Sequence, residues 1–160
     1  MNAQKILIVC FANICRSPTA EAVFHRYTDQ LSISHKLLCD SAGCSDVRSG
    51  EAADKTAAKI AKKHGYNLDL HKARSIKSED GKYFDYIVAV DTYSLLELRE
   101  ILPKDDHGKL SLLLDHTNGP KGRDVPDPYK KSKAVYEQSL RLIEEGVEGL
   151  INHLRLTHKI

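Results

Sequence analysis

The sequence lacks several features that mark specialised classes of protein. Over its 160 residues no apolar run approaches the about 18 residues of a membrane-spanning helix, and no repeat, low-complexity segment or linker interrupts the chain. The formal net charge is only +2, so no broad field for nucleic acid or an anionic membrane is expected. We therefore predict a single domain, residues 1–160, with neither nucleic acid nor membrane as a partner. Any recognition of anions has to come from a few placed groups.

Cysteine is also scarce. Four cysteines are too few for a disulfide scaffold in a chain of this length, and they form no C-x-x-C pair and no zinc spacing with histidine. Free thiols are typical of a reducing cytoplasm, which is the location that we expect. The four are Cys10, Cys15, Cys39 and Cys44.

The first apolar segment has a superficial likeness to a signal peptide, because Lys5 precedes the run ILIVCFA. However, this run is at the lower limit of length, and no small-residue cleavage site follows before Asn13 and Arg16. A continuous β-branched run is also typical of a parallel strand buried on both faces. We predict such a strand in KILIVC.

Strand and helix patterns alternate along the rest of the chain. Further strands are predicted in KLLCDSAG, ending at Gly43, in YIVAV (residues 86–90) and in KLSLLL (residues 109–114). Helical periods separate them, the first with Ser17 as N-cap and Pro18 as first helical residue, and a long amphipathic helix ends the chain. This β-α-β-α-β-α-β-α order predicts an α/β fold, in which helices flank a four-stranded parallel sheet on both faces.

The loop after the first strand joins Cys10 to Arg16 and leads directly into a helix. Backbone N–H groups and the helix dipole at such a place bind phosphate-like dianions, and the carboxyl edge of a parallel sheet is where ligands bind. Arg16 adds a guanidinium fork for phosphate oxygens, and this positive environment favours a Cys10 thiolate, which is a nucleophile for phosphorus. The loop alone also fits a buried structural cysteine and a surface arginine.

A thiolate that attacks a phosphate ester needs an acid for the leaving oxygen and later a base for water. Asp127 in DVPDPY is a candidate, because Pro126 and Pro128 stiffen the loop and hold the carboxyl group at the same end of the sheet. Tyr129 offers a flat wall for an aromatic leaving group. The alternative interpretation is a plain Pro-Asp-Pro turn.

Taken together, these motifs resemble the low-molecular-weight protein tyrosine phosphatase family. VCFANICRSPTAE is similar to its phosphate-binding signature and DPY to its general-acid loop, while DSAGCSD, LHKARSIKSED and FDYIVAVD resemble family segments in the correct order. The resemblance runs from Lys5 to about Leu154. It implies the three-layer α/β/α fold of phosphotyrosine phosphatase I, hydrolysis of phosphotyrosine and small aryl phosphates through a phosphocysteine intermediate, and no metal or other cofactor.

The resemblance also implies residue roles. Cys10 would be the nucleophile, Arg16 would bind the phosphoryl oxygens, and Asp127 would act as general acid and then as base. Ser17 would hydrogen-bond the Cys10 thiolate, Asn13 would hold the loop in shape, and Ser41 and His71 would support this network. The residues expected to bind the phosphate oxyanion or the tyrosine-phosphorylated protein substrate are Phe11, Ala12, Asn13, Ile14, Cys15, Ser17 and Tyr129.

Family members with a second cysteine at the position of Cys15 can join it to the catalytic one, which implies a reversible Cys10–Cys15 disulfide. Three positions depart from the family pattern. Ala12 stands where Gly is usual, and Val47 and Lys130 align with positions that are often aromatic. A left-handed backbone at Ala12 would cost about 1–2 kcal/mol, whereas an extended one would cost nothing. Phe11 is expected to compensate at the cleft wall.

The same residues bear on three alternative functions. Protein-arginine phosphatases of this scaffold carry Thr where this chain has Ile14, so Ile14 favours phosphotyrosine. Arsenate reductases of this scaffold need a further cysteine pair, and no cysteine follows Cys44. A non-catalytic anion or phosphopeptide binder would not require the acid Asp127.

Overall fold

One sheet of four parallel strands forms the centre of the protein. The computed structural model describes residues 2–160, so Met1, which the single-domain prediction includes, lies outside the described residues. The strands lie in the spatial order β2-β1-β3-β4, and all three neighbouring pairs are parallel, as predicted. They are β1 (Gln4–Cys10), β2 (Leu37–Gly43), β3 (Tyr86–Ala89) and β4 (Leu110–Leu112).

Five α-helices in the described chain flank this sheet. None of the helices in residues 2–160 is both long and apolar enough to span a bilayer. The helices are α1 (Arg16–Gln30), α2 (Lys55–Lys63), α3 (Asp80–Tyr83), α4 (Thr92–Ile101) and α5 (Lys133–His158), with 3-10 turns at Lys104–Lys109 and Leu113–His116.

Alternate side chains of β1 enter two separate cores. Ile6 and Ile8 pack with apolar residues of α1, α2 and α5, whereas Leu7 and Val9 pack with Leu98 of α4 on the opposite face. All four β1 side chains are fully buried, which explains the uninterrupted apolar run ILIV. The three-layer α/β/α architecture is therefore confirmed.

Two local predictions are wrong. Helix α1 begins at Arg16 with Cys15 as N-cap, and the Ser17 hydroxyl does not cap the helix because it contacts Cys10 and Asn13 instead. Strand β4 ends at Leu112 and not at residue 114, because the chain turns there into a 3-10 helix. Leu113 of this helix is buried in the same core as the apolar residues of α5.

The carboxyl end of β2 supports the loop that follows β1. A Cβ atom added at Gly43 would lie 2.8 Å from the carbonyl oxygen of Phe11 and 2.9 Å from the carbonyl carbon of Ala12. Only a residue without a Cβ permits this approach of two backbones. The loop after β1 is therefore held from behind by β2.

Replacing Gly43 by alanine should lower the free energy of unfolding by about 1–3 kcal/mol, because rigid backbone has to move. The matched control is Gly108→Ala, where an added Cβ meets no heavy atom within 4 Å and where we expect a change below about 0.5 kcal/mol. Urea denaturation measures both variants. Equal stability of the two would contradict the close packing at Gly43.

Candidate active site

A single cavity at the carboxyl edge of the sheet brings together most of the predicted site residues. Its volume is about 240 Å³. Three stretches that are distant in sequence meet here: the β1–α1 loop, the loop after β2 and the loop before α5. The lining residues are Cys10, Phe11, Ala12, Ile14, Cys15, Arg16, Val47, Arg48, Asp127 and Tyr129. The side chains of Cys10 and Asp127 therefore open onto the same space.

Cys10 is the last residue of β1 and is buried, with 3% of its surface exposed. Its Sγ lies 2.9 Å from the Oγ of Ser17, which also accepts a hydrogen bond from Asn13 Nδ2 at 2.8 Å. Either atom of the Cys10–Ser17 contact can donate when Cys10 is a thiol, and the Ser17 hydroxyl can also donate to the Ala42 carbonyl at 3.4 Å. A Cys10 thiolate can only accept, so in that state the Ser17 hydroxyl would donate to the sulfur and stabilise its charge.

Asn13 connects the loop to the rest of the site. Its buried amide donates to Ser17 and to the Ser41 Oγ at 3.0 Å, and its Oδ1 accepts from the backbone N–H of Arg74 at 3.0 Å. His71 Nε2 lies 2.6 Å from the Asn13 carbonyl oxygen, so that ring nitrogen must carry the hydrogen. Both N–H groups and the oxygen of the Asn13 side-chain amide are therefore engaged in hydrogen bonds that hold the loop.

The left-handed residue of the loop is Asn13, with φ of 59°, and not Ala12, which is absent from the positive-φ residues of the described chain. Asparagine adopts this conformation more readily than most residues. Of the two possibilities left open by the sequence, Ala12 therefore carries no left-handed backbone cost.

Arg16 is buried at the first turn of α1, with only 4% of its surface exposed. One terminal nitrogen, NH1, donates to Asp91 Oδ2 at 2.7 Å and to the Val125 carbonyl at 2.8 Å, and NH2 lies 3.7 Å from Asp127 Oδ2. Burial works to lower the pKa of Arg16, but the neighbouring Cys10 and Asp91 outweigh it and the pKa is raised. Burial works to raise the pKa of Asp91, but Arg16 and the Ser94 hydrogen bonds outweigh it and the pKa is lowered.

Asp91 is a site residue that no sequence pattern singled out, although it is the last residue of the segment FDYIVAVD. Its Oδ1 does accept from the backbone N–H of Ser94 at 2.8 Å, which caps α4, while its other oxygen binds Arg16. The available signal was its position: an acidic residue directly after a buried strand, at the edge of a parallel sheet where sites form.

Asp127 lies at the mouth of the cavity, and 50% of its side chain is exposed. Its Oδ1 accepts from the backbone N–H of Tyr129 at 3.2 Å, which orients the carboxylate within the Pro-Asp-Pro loop. Tyr129 in turn accepts a hydrogen bond on its hydroxyl oxygen from Arg48 at 2.9 Å. Phe11, which lines the cavity, packs edge-on against Tyr93 with ring centroids 6.0 Å apart.

Two residues predicted to bind phosphate do not reach the cavity with their side chains. Asn13 and Ser17 are fully buried, and neither lines the opening. Their side chains hold the loop and Cys10 from behind. Ser41, predicted in the same network, also donates to Glu21 Oε2 at 2.7 Å.

Cys15 faces a different set of partners. Its Sγ lies 3.8 Å from Asp54 Oδ2, which also accepts from the Tyr136 hydroxyl at 2.8 Å. Burial, and then the charge of Asp54, raise the pKa of Cys15, so it is a thiol at neutral pH. All four cysteines are free. Within residues 2–160, no group of three or more His, Cys, Asp or Glu side chains is placed to hold a metal ion.

A thiol-bearing anion loop at the carboxyl edge of a parallel α/β sheet defines a class of phosphate-binding proteins. The family model for the low molecular weight phosphotyrosine protein phosphatases matches residues 5–159. The chain belongs to this family of hydrolases, which act on phosphorylated substrates, and the resemblance seen in the sequence is confirmed.

Individual relatives agree. The low molecular weight protein-tyrosine-phosphatase of Streptomyces coelicolor is 36% identical over 94% of this chain and 93% of its own length. The low molecular weight phosphotyrosine protein phosphatase of Sus scrofa is 36% identical over 91% and 94%. A crystal structure of a protein tyrosine phosphatase from Entamoeba histolytica, with Hepes in the active site, matches with a TM-score of 0.90 at 34% identity, covering 98% of this chain and 99% of that one.

The Asp91–Arg16 pair generates a pH-dependent prediction. Asp91→Asn should lower the free energy of unfolding at pH 7 by about 2 kcal/mol, because a buried guanidinium loses its main counter-charge. Since the folded pKa of Asp91 is depressed, its contribution is present above the unfolded value of about 3.9 and is lost as pH falls through the folded pKa.

Urea denaturation from pH 7 down to pH 3 measures this difference. The gap between wild type and Asp91→Asn should narrow below about pH 4. Asp105→Asn, at an exposed carboxylate, is the matched control and should change the free energy of unfolding by less than about 0.5 kcal/mol at pH 7. A gap that widens on acidification would disprove the role of the ion pair.

Proposed function

We propose that Cys10, Arg16 and Asp127 carry the phosphatase reaction in this chain and that its substrates are tyrosine-phosphorylated proteins and small aryl phosphates. The observation that supports this most is the shared cavity, in which a buried sulfur, a buried guanidinium and a half-exposed carboxyl group surround one opening. We also propose that residues 1–160 form one phosphatase domain, since the family match spans residues 5–159.

In the first step the Cys10 thiolate attacks phosphorus, and the bond between phosphorus and the tyrosine oxygen breaks. Asp127 in its protonated form gives its proton to the departing oxygen, and a phosphocysteine results. The Ser17 hydroxyl, 2.9 Å from the sulfur, stabilises the thiolate before attack.

The two terminal nitrogens of Arg16 have different roles, one structural and one catalytic. Its NH1 is engaged by Asp91 and the Val125 carbonyl, whereas its NH2 faces the cavity side where Asp127 lies. The remaining N–H groups of the fork are therefore available to the equatorial phosphoryl oxygens, where charge develops. The backbone N–H groups of the loop complete this oxyanion cradle.

In the second step water attacks the phosphocysteine. Asp127, now a carboxylate, removes a proton from the water, and the sulfur–phosphorus bond breaks to release phosphate and regenerate the Cys10 thiolate. The 50% exposure of the Asp127 side chain allows it to exchange its proton with solvent between cycles.

The walls of the cavity favour a phosphorylated ring. Tyr129 and Phe11 contribute aromatic surface to it, and Ile14 is an apolar residue where protein-arginine phosphatases carry Thr. We further propose a reducing, cytoplasmic location, supported by the four free cysteines and by the need for a reduced Cys10.

Cys10→Ser should lower kcat for p-nitrophenyl phosphate at least about 1,000-fold, because the nucleophile is lost. Asp127→Asn should lower it about 100-fold with phenyl phosphate and less with p-nitrophenyl phosphate, whose leaving group needs less help from an acid. The matched controls are Cys39→Ser and Asp105→Asn, which lie outside the cavity lining. Equal turnover by wild type and Cys10→Ser would remove the proposed chemistry, and preferential hydrolysis of phosphoarginine peptides would change the substrate class.

A reversible Cys10–Cys15 disulfide is a second testable proposal. A hydroperoxide oxidises the Cys10 thiolate to a sulfenic acid, and the Cys15 thiol then displaces water to form the disulfide. Wild type inactivated by hydrogen peroxide should regain most of its activity with a dithiol reductant. The Cys15→Ser variant should lose its activity irreversibly, because its Cys10 is over-oxidised. Failure of wild type to recover would rule out the protective disulfide.

A further inference from the structure

We infer that two cations at the mouth of the cavity, Arg48 and Lys130, select phosphotyrosine segments that carry acidic side chains beside the phosphotyrosine. We call these two residues the cationic rim. The inference rests on the proposed function, because the phosphotyrosine itself has to occupy the cavity.

Both members of the cationic rim lie against the same aromatic wall. The Arg48 NH2 donates to the Tyr129 hydroxyl at 2.9 Å, and its guanidinium carbon lies 5.7 Å from the ring centroid. The Lys130 Nζ lies 5.4 Å from that centroid. Since Arg48 and Tyr129 line the cavity and Lys130 lies against the Tyr129 ring, both charges lie at the edge of the cavity.

The backbone holds Lys130 in this place. Its φ is 58°, in the left-handed region that lysine seldom adopts, and the backbone N–H of Lys131 donates to the Pro128 carbonyl at 2.8 Å to close the turn. Strained backbone of this kind persists where the surrounding structure imposes it and is concentrated at functional sites.

The charges of the cationic rim are largely free for a ligand. Lys130 is exposed and has no carboxylate within ion-pair distance among residues 2–160. Arg48 pairs only with Glu51, at 3.5 Å, and both side chains of this pair are exposed to solvent. Exposed pairs of this kind are weak, so a substrate carboxylate can replace Glu51. Asp127, the carboxylate of the cavity itself, faces Arg16.

The test compares two phosphotyrosine peptides of equal length, with either glutamate or glutamine at the positions flanking the phosphotyrosine. We expect wild type to show about a 10-fold higher kcat/KM for the glutamate peptide at low salt, as two exposed ion pairs provide. This preference should fall toward about 2-fold in 0.5 M NaCl, because exposed charges are screened.

Arg48→Glu combined with Lys130→Glu should abolish or reverse the preference. A second variant, Arg48→Gln with Lys130→Gly, removes both charges and places at position 130 a residue that adopts positive φ without strain, so the test does not depend on the first variant folding. The matched control is Lys36→Glu with Lys104→Glu, two exposed lysines that precede β2 and β4 at the opposite edge of the sheet. This control carries the same change in net charge and should keep the preference.

The outcomes separate the two proposals. Wild type that hydrolyses p-nitrophenyl phosphate and both peptides with equal kcat/KM would overturn the role of the cationic rim and leave the proposed function intact. An equal loss of preference in the control would also overturn it, because net charge alone would then explain the selectivity. Wild type that hydrolyses neither peptide nor p-nitrophenyl phosphate would overturn the proposed function itself.

Discussion

The buried amide of Asn13 is the constraint on which the site depends. It ties the β1–α1 loop to Ser41 on β2, to the backbone of Arg74 and to Ser17, and Ser17 in turn contacts the Cys10 sulfur. Asn13, Ser17, Ser41 and Cys10 are all buried, so a lost contact among them would leave a buried polar atom unsatisfied. This network surrounds the left-handed backbone at Asn13 and holds it in place.

Arg16 links the same loop to the other side of the sheet. A buried guanidinium needs counter-charge and acceptors, and here they come from Asp91 after β3 and from the Val125 carbonyl. The Val125 contact also anchors the segment that carries Asp127, so the guanidinium that we propose to bind the substrate phosphate also positions the proposed acid. In the proposed reaction, the structural and catalytic requirements on Arg16 are satisfied by different nitrogens of one side chain.

The elements that were predicted correctly are those encoded by local patterns. ILIV specifies a strand buried on both faces, and all four of these side chains are fully buried in β1. The errors occur where tertiary contacts override a local preference. Ser17 has the chemistry of an N-cap, yet its hydroxyl is used by Cys10, and the apolar run after Leu112 turns away from the sheet so that Leu113 packs in the α5 core.

The sequence by itself determined the alternation of strands and helices, the placement of Cys10 and Arg16 on one short loop, and the stiff Pro-Asp-Pro setting of Asp127. These depend on spacing and backbone restriction between near neighbours, which are written directly in the chain. Only the tertiary structure decided that Asp91 would be the partner of Arg16 and that Arg48 would lie against Tyr129. These partners are distant in sequence, and no local pattern specifies them, because it is the strand order β2-β1-β3-β4 that brings their loops to one edge.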